Sequence, residues 1–179
     1  MRRERFAPVD LVALADEILE TYLPVAEEAG RTLAPGTRPA SAIVEGDRGE
    51  LFQAVANLVE NALRHCPAGS TIVCSVREGP DAIELEVADD GPGIPEHERA
   101  AVLGRFHRLE RSRSEPGTGL GLSLVAAVAE IHHAELVLGD AGPGLSVRLR
   151  FVHAARPAGR RPRAAAALLP GALSAGRRR

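Results

Sequence analysis

Apolar residues recur along the chain at two spacings. After Asp10, a residue suited to an N-cap, Leu11, Leu14, Ile18 and Tyr22 keep a helical repeat, and Gly30 supplies a stop. This predicts a first helix, with Pro24 kinking it or ending its regular part. Short strands are predicted at 31–34 and 40–44. A second helix begins at Asp47, with Glu50 at the capping-box position, and ends near Cys66 before Pro67 and Gly69. Alternating stretches at 71–77 and 82–88 flank Gly79-Pro80-Asp81 and predict a hairpin. A glycine-rich loop leads to a short helix at 95–103. Residues 105–116 are charged and poor in apolar positions, which predicts a mobile loop. A third long helix is expected at 120–133, then strands at 134–138 and 145–151. Leu145, Val147, Leu149 and Phe151 mark the buried face of the last strand. The order predicts an α+β fold, a two-layer sandwich with helices on one face of a mixed, mostly antiparallel sheet.

Composition divides the chain. Residues 1–153 read as one domain of a 179-residue chain, and 154–179 as an Ala/Arg/Pro/Gly tail too poor in apolar area to fold. All 22 basic residues are Arg. The tail holds seven Arg and no acid, which leaves 15 Arg against 24 acids in the body despite a formal net charge of -2. An acidic body argues against nucleic-acid binding, and phosphate contacts by side chains must come from Arg or polar groups. Cys66 and Cys74 lack metal-ligand spacing and predict two reduced thiols. No signal peptide is visible, and no segment approaches the roughly 20 apolar residues of a membrane span. A cytoplasmic location is expected.

Three polar elements interrupt this pattern. On the second helix Asn57, Asn61, Arg64 and His65 fall within roughly 100° of arc, beside the apolar stripe of Leu51, Val55, Leu58 and Ala62. Asn is a middling helix former, and amide oxygens are hard ligands suited to Mg²⁺. Arg64 can meet phosphate oxygens. As a solvated helix face the stripe would need no function. The second element is Asp89-Asp90-Gly91-Pro92-Gly93-Ile94, directly after a strand. A carboxylate there can accept a hydrogen bond from an exocyclic amine such as that of adenine. Alone, this is also an ordinary turn. The third is Gly117-Thr118-Gly119-Leu120-Gly121-Leu122, leading into a helix whose N-terminal amides form an anion site. It is neither a Walker motif, since Lys is missing, nor a Rossmann fingerprint, since a loop precedes it.

In their order and spacing these elements resemble the histidine kinase branch of the Bergerat-fold ATPase superfamily, which also includes gyrase B, MutL and heat-shock chaperones. The stretch from Asn57 to His65 resembles the N box, Asp89 to Gly93 the G1 box, Arg105-Phe106-His107-Arg108 the F box, and Gly117 to Gly121 the G2 box. The resemblance covers about 6–152. It implies that Asn57 and Asn61 hold Mg²⁺ and the phosphates, that Arg64 and Arg113 face the phosphates, and that His65 lies near the nucleotide. It implies that Asp89 reads the adenine amine in a pocket shaped by Gly91, Gly93 and Ile94. Thr118, Gly119, Leu120, Gly121 and Leu122 would close on the phosphates, and Phe106 would anchor a lid running from Arg105 to Gly117.

The hydrolysing relatives place a water-activating Glu where this chain has Asn57. An amide is no useful general base, so slow hydrolysis is expected. Glu60, about 100° round the helix from Asn61, receives no role. The six His lie at 65, 97, 107, 132, 133 and 153. None sits in an H box, the acceptor motif of such kinases; His97 precedes Glu98 but has no Pro in register. His132-His133-Ala134 stands where the family usually has a Gly pair. The resemblance therefore implies an ATP- and Mg²⁺-dependent protein histidine kinase domain. Its partner would be a histidine-bearing dimerisation domain, on another chain or a missing segment, and indirectly a response regulator. The competing readings are a degenerate module that binds ATP or a partner without chemistry, and an anti-sigma-type serine kinase, which the F box disfavours.

Overall fold

In a computed structural model, residues 5–102 and 121–153 are described. The elements are β1 (Ala7–Asp10), α1 (Leu11–Glu28), β2 (Thr32–Pro35), β3 (Ile43–Gly46), α2 (Arg48–His65), β4 (Thr71–Glu78), β5 (Ala82–Asp89), α3 (Glu96–Val102), α4 (Gly121–Ile131), β6 (Ala134–Asp140) and β7 (Leu145–Val152). The main sheet has the order β2-β4-β5-β7-β6. Only the β2–β4 pair in it is parallel. Three helices cover one face: α1 packs on β2 and β4, α2 on β4 and β5, and α4 on β6. This is the expected two-layer sandwich.

Alternation builds the interface between the layers. Ile72, Cys74 and Val76 of β4, Ile83, Leu85 and Val87 of β5, and Val147, Leu149 and Phe151 of β7 are buried in one core with Leu14 and Ile18 of α1, Leu51, Val55 and Leu58 of α2, and Val125 of α4. Each fully buried side chain of this size contributes roughly 1.5–3 kcal/mol. The opposite face carries polar side chains. Glu86 accepts from Ser146 and from Arg77, each at 2.6 Å, and Arg150 pairs with Glu135 at 2.8 Å.

Three expectations need correction. The strand expected at 40–44 is Ile43–Gly46, and it leaves the main sheet to pair antiparallel with β1, a strand not foreseen, with Val9 opposite Val44. Of the two outcomes expected at Pro24, ending the helix does not occur, since α1 runs on to Glu28. The proline's missing N–H falls opposite Glu20, an exposed residue whose carbonyl water can satisfy. The capping box at α2 is half formed. Asp47 accepts from the N–H groups of Gly49 and Glu50, but its own N–H goes to His132 Nε2 at 3.0 Å, and Glu50 Oε2 is buried without a partner.

Candidate functional site

The polar stripe of α2 is formed as its spacing predicts. Asn57 and Asn61 are half-buried, and Arg64 and His65 are exposed in the last turn. The Asn57 amide nitrogen donates to the carbonyl of Gln53 at 2.7 Å. With that nitrogen committed to the helix, the amide oxygen is the atom left to meet a cation. Asn61 lies against the first residue of α4. A Cβ at Gly121 would come within 2.8 Å of Asn61 Nδ2 and 2.9 Å of Oδ1. The missing side chain brings α4, at its first described residue, beside the amides of α2. A helix N-terminus attracts anions, and amide oxygens attract hard cations. Together these are the parts needed to hold a phosphate with its metal. Leu122, one residue on, packs against the core.

Asp89 ends β5 with its carboxylate held by backbone donors. Oδ1 accepts from Gly91 N–H at 2.9 Å and from Leu145 N–H, on β7, at 3.3 Å. The buried Cys66 thiol faces the same carboxylate, and burial first, then Asp89, pushes that thiol up to about 12. Such a thiol stays protonated and unreactive. Gly91 fits because it lacks a side chain: a Cβ would stand 2.6 Å from Cys66 Sγ. Gly93 has a φ of +66°, and Gly144 one of +104°. A Cβ on Gly144 would lie 1.7 Å from the carbonyl oxygen of Asp89. Thus the glycine loop and the β6–β7 turn meet edge to edge. Asp90 is occupied otherwise: its carboxylate accepts from Thr71 N–H at 2.8 Å and closes the start of β4. Of the two adjacent acids, one is structural and the other faces the loop.

Glu60 is engaged by Tyr22, whose hydroxyl donates to its carboxylate at 2.5 Å. Burial and this carboxylate push the Tyr22 phenol up to about 12, so it remains a donor. Among the described residues no cluster of His, Cys, Asp or Glu forms a metal cage. The amides of Asn57 and Asn61 suit instead a Mg²⁺ that arrives with phosphates and keeps several waters.

Residues 46–155 match the "Histidine kinase-, DNA gyrase B-, and HSP90-like ATPase" family. The chain belongs to this family. It is a histidine kinase-type ATP-binding catalytic domain, homologous to two-component sensor kinases. Over 103 residues, 57% of the chain and 20% of the relative, it is 43% identical to the signal transduction histidine-protein kinase/phosphatase MprB of Mycobacterium leprae. Over 161 residues, 89% of the chain and 33% of the relative, it is 34% identical to the sensor protein kinase PmrB of Pseudomonas aeruginosa. The solved structure of a mycobacterial sensor histidine kinase MprB superposes with a TM-score of 0.71 at 30% identity, covering 82% of this chain and 97% of that one. The chain thus spans a fifth to a third of the two relatives' length. No helix among the described residues is long and apolar enough to cross a membrane.

Within this domain, the structure brings together Asn61 with Gly121, and Asp89 with Gly91, Cys66, Gly144 and Leu145. Phe106, Arg113, Thr118, Gly119 and Leu120 lie outside the described residues, as do the lid from Arg105 to Gly117 and the tail at 154–179. Cys66, Gly144 and Leu145 were not singled out from sequence as parts of the site. Gly144 alone carried a signal, as a glycine in a turn. The Leu145 contribution is a backbone N–H, which no side chain announces.

Proposed function

We propose that the kinase domain binds ATP with Mg²⁺ and transfers the γ-phosphoryl group to a histidine on a dimerisation domain, whose phosphate then passes to a response regulator. The packing of Gly121 on Asn61 carries this reading, since it joins an anion-attracting helix end to a pair of cation-attracting amides. Asn57 and Asn61 would hold Mg²⁺, which when bound neutralises phosphate charge. Arg64 and the amides at the start of α4 would face the phosphates, with Arg113 and the segment Thr118-Gly119-Leu120 completing the enclosure. His65 and Phe106 would border the nucleotide. Asp89 would accept the adenine amine in the pocket of Gly91, Gly93 and Ile94.

Slow hydrolysis follows from the same residues. Asn57 offers an amide where water activation needs a base, and the Glu60 carboxylate is taken by Tyr22. The γ-phosphate is thereby kept for the protein acceptor. The test is a thermal-unfolding series with ATP, with and without Mg²⁺, followed by transfer of labelled phosphate to a histidine-bearing helical hairpin. Mg²⁺-dependent protection and an acid-labile product are expected. Absence of any protection by ATP sinks the nucleotide reading. Protection without transfer leaves a binding module, and an acid-stable product identifies a hydroxyl acceptor.

A further inference from the structure

The glycine loop and the β6–β7 turn are also bridged by a side chain. Arg99, on α3, donates from Nε to the carbonyl of Ile94 at 3.0 Å, and its guanidinium pairs with Asp140, the last residue of β6. The arginine side chain is 17% exposed and the aspartate 75%, so the arginine is the inner member of the pair. Together they border a cleft of about 380 Å³ between the loop and the turn, lined also by Gly93 and Gly144. On the inner side the same two segments meet at Asp89, where Gly144 abuts the Asp89 carbonyl and Leu145 N–H reaches Oδ1. That bond, at 3.3 Å, is longer than the 2.9 Å bond from Gly91. The Gly91 bond is local to the loop. The Leu145 bond depends on where the turn sits.

We propose that Arg99 is a positioning residue for base recognition: by tying the end of the glycine loop to the end of β6, it holds the turn against Asp89 and fixes the carboxylate that meets the exocyclic amine. This rests on the reading of Asp89 as the base-reading group. Arg99 acts through Ile94, Asp140 and the turn, and touches no nucleotide atom in this scheme. A planar guanidinium suits the task, because it bonds a carbonyl and a carboxylate at once in fixed directions. A lysine ammonium has donors enough but not the fixed planar geometry.

The experiment compares dissociation constants for ATP and for purine riboside triphosphate, which lacks the 6-amino group. It uses the full chain as wild type, Arg99→Met, Asp140→Asn and Asp89→Asn. Met keeps the aliphatic stem and removes both bonds; the Asp140 change leaves the arginine in place and guards against a folding defect in the first variant. Arg99→Met is expected to weaken ATP about fivefold while the amine-free nucleotide stays within about twofold, and Asp140→Asn to follow in the same direction with a smaller change. Unchanged ATP binding in both variants overturns the proposal. Equal weakening of both nucleotides also overturns it, because a merely structural role has no reason to single out the amine. If wild type discriminates, Asp89→Asn loses discrimination and the Arg99 and Asp140 variants keep it, the Arg99 role alone fails. If wild type binds both nucleotides equally, Asp89 does not read the amine, and the base reading falls together with this proposal.

Discussion

At the scale of single residues, the pair His132-His133 shows how an unusual sequence can be explained by its neighbours. His132 is 6% exposed and stacks on Phe6 with ring centroids 4.8 Å apart. Its Nε2 accepts the N–H of Asp47, and its Nδ1 lies 2.8 Å from the carbonyl of Val128, so both ring nitrogens have backbone partners. Gly46 makes room for it, since a Cβ there would lie 2.7 Å from His132 Cδ2. His133 then takes the left-handed conformation, at a φ of 54°, that a glycine adopts without strain. A Gly pair at these positions would relax the backbone but leave the Asp47 N–H without its acceptor. His132→Ala is expected to destabilise the domain by roughly 2–4 kcal/mol, from a cavity and an orphaned donor together. Urea denaturation of the variant against wild type checks this; a loss too small to measure would mean the Asp47 N–H finds another partner.

At the scale of elements, α2 and α4 meet through an absent side chain. Gly121→Ala would push on the Asn61 amide, the far end of a side chain that can rotate away, rather than on backbone. Alanine also favours a helix over glycine. Stability is therefore expected to change by less than about 1 kcal/mol while Mg²⁺-dependent ATP affinity falls by about tenfold or more. Melting temperature and nucleotide titration on the same sample separate the two effects. Much of this was legible in the sequence. The repeat through Leu51, Val55, Leu58 and Ala62 placed α2, and the Asn57/Asn61 spacing placed the amides on its flank. β1 was not legible, because Ala-Pro-Val-Asp has no alternation long enough to read and its partner, β3, lies more than 30 residues away. Arg99 was equally silent. Its sequence neighbours are those of any surface helix, and although Ile94 is close in sequence, Asp140 comes from a distant strand.

At the scale of the whole molecule, the open face of the sheet is held by charge. Glu86 joins three strands, receiving Arg77 from β4 and Ser146 from β7. Burial alone would raise its carboxyl, but the Ser146 hydroxyl and the Arg77 guanidinium hold it below the ordinary value. A carboxylate depressed in the folded state lends stability in full above its unfolded value, and that stability is lost as pH falls through the folded one. Below about pH 5, wild type is expected to lose stability more steeply than Glu86→Gln, as read by thermal melts across the acid range. Parallel curves for the two proteins would show that Glu86 does not set the acid limit.

Strand order has a further consequence, for the making of the protein. β7 is the last described strand in sequence, yet it sits inside the sheet between β5 and β6, and it supplies the Leu145 N–H to Asp89. As the chain leaves the ribosome, α2 and the glycine loop emerge well before the strand that orients their carboxylate. If Asp89 reads the base as proposed, selectivity for adenine would have to wait until β7 has threaded between β5 and β6.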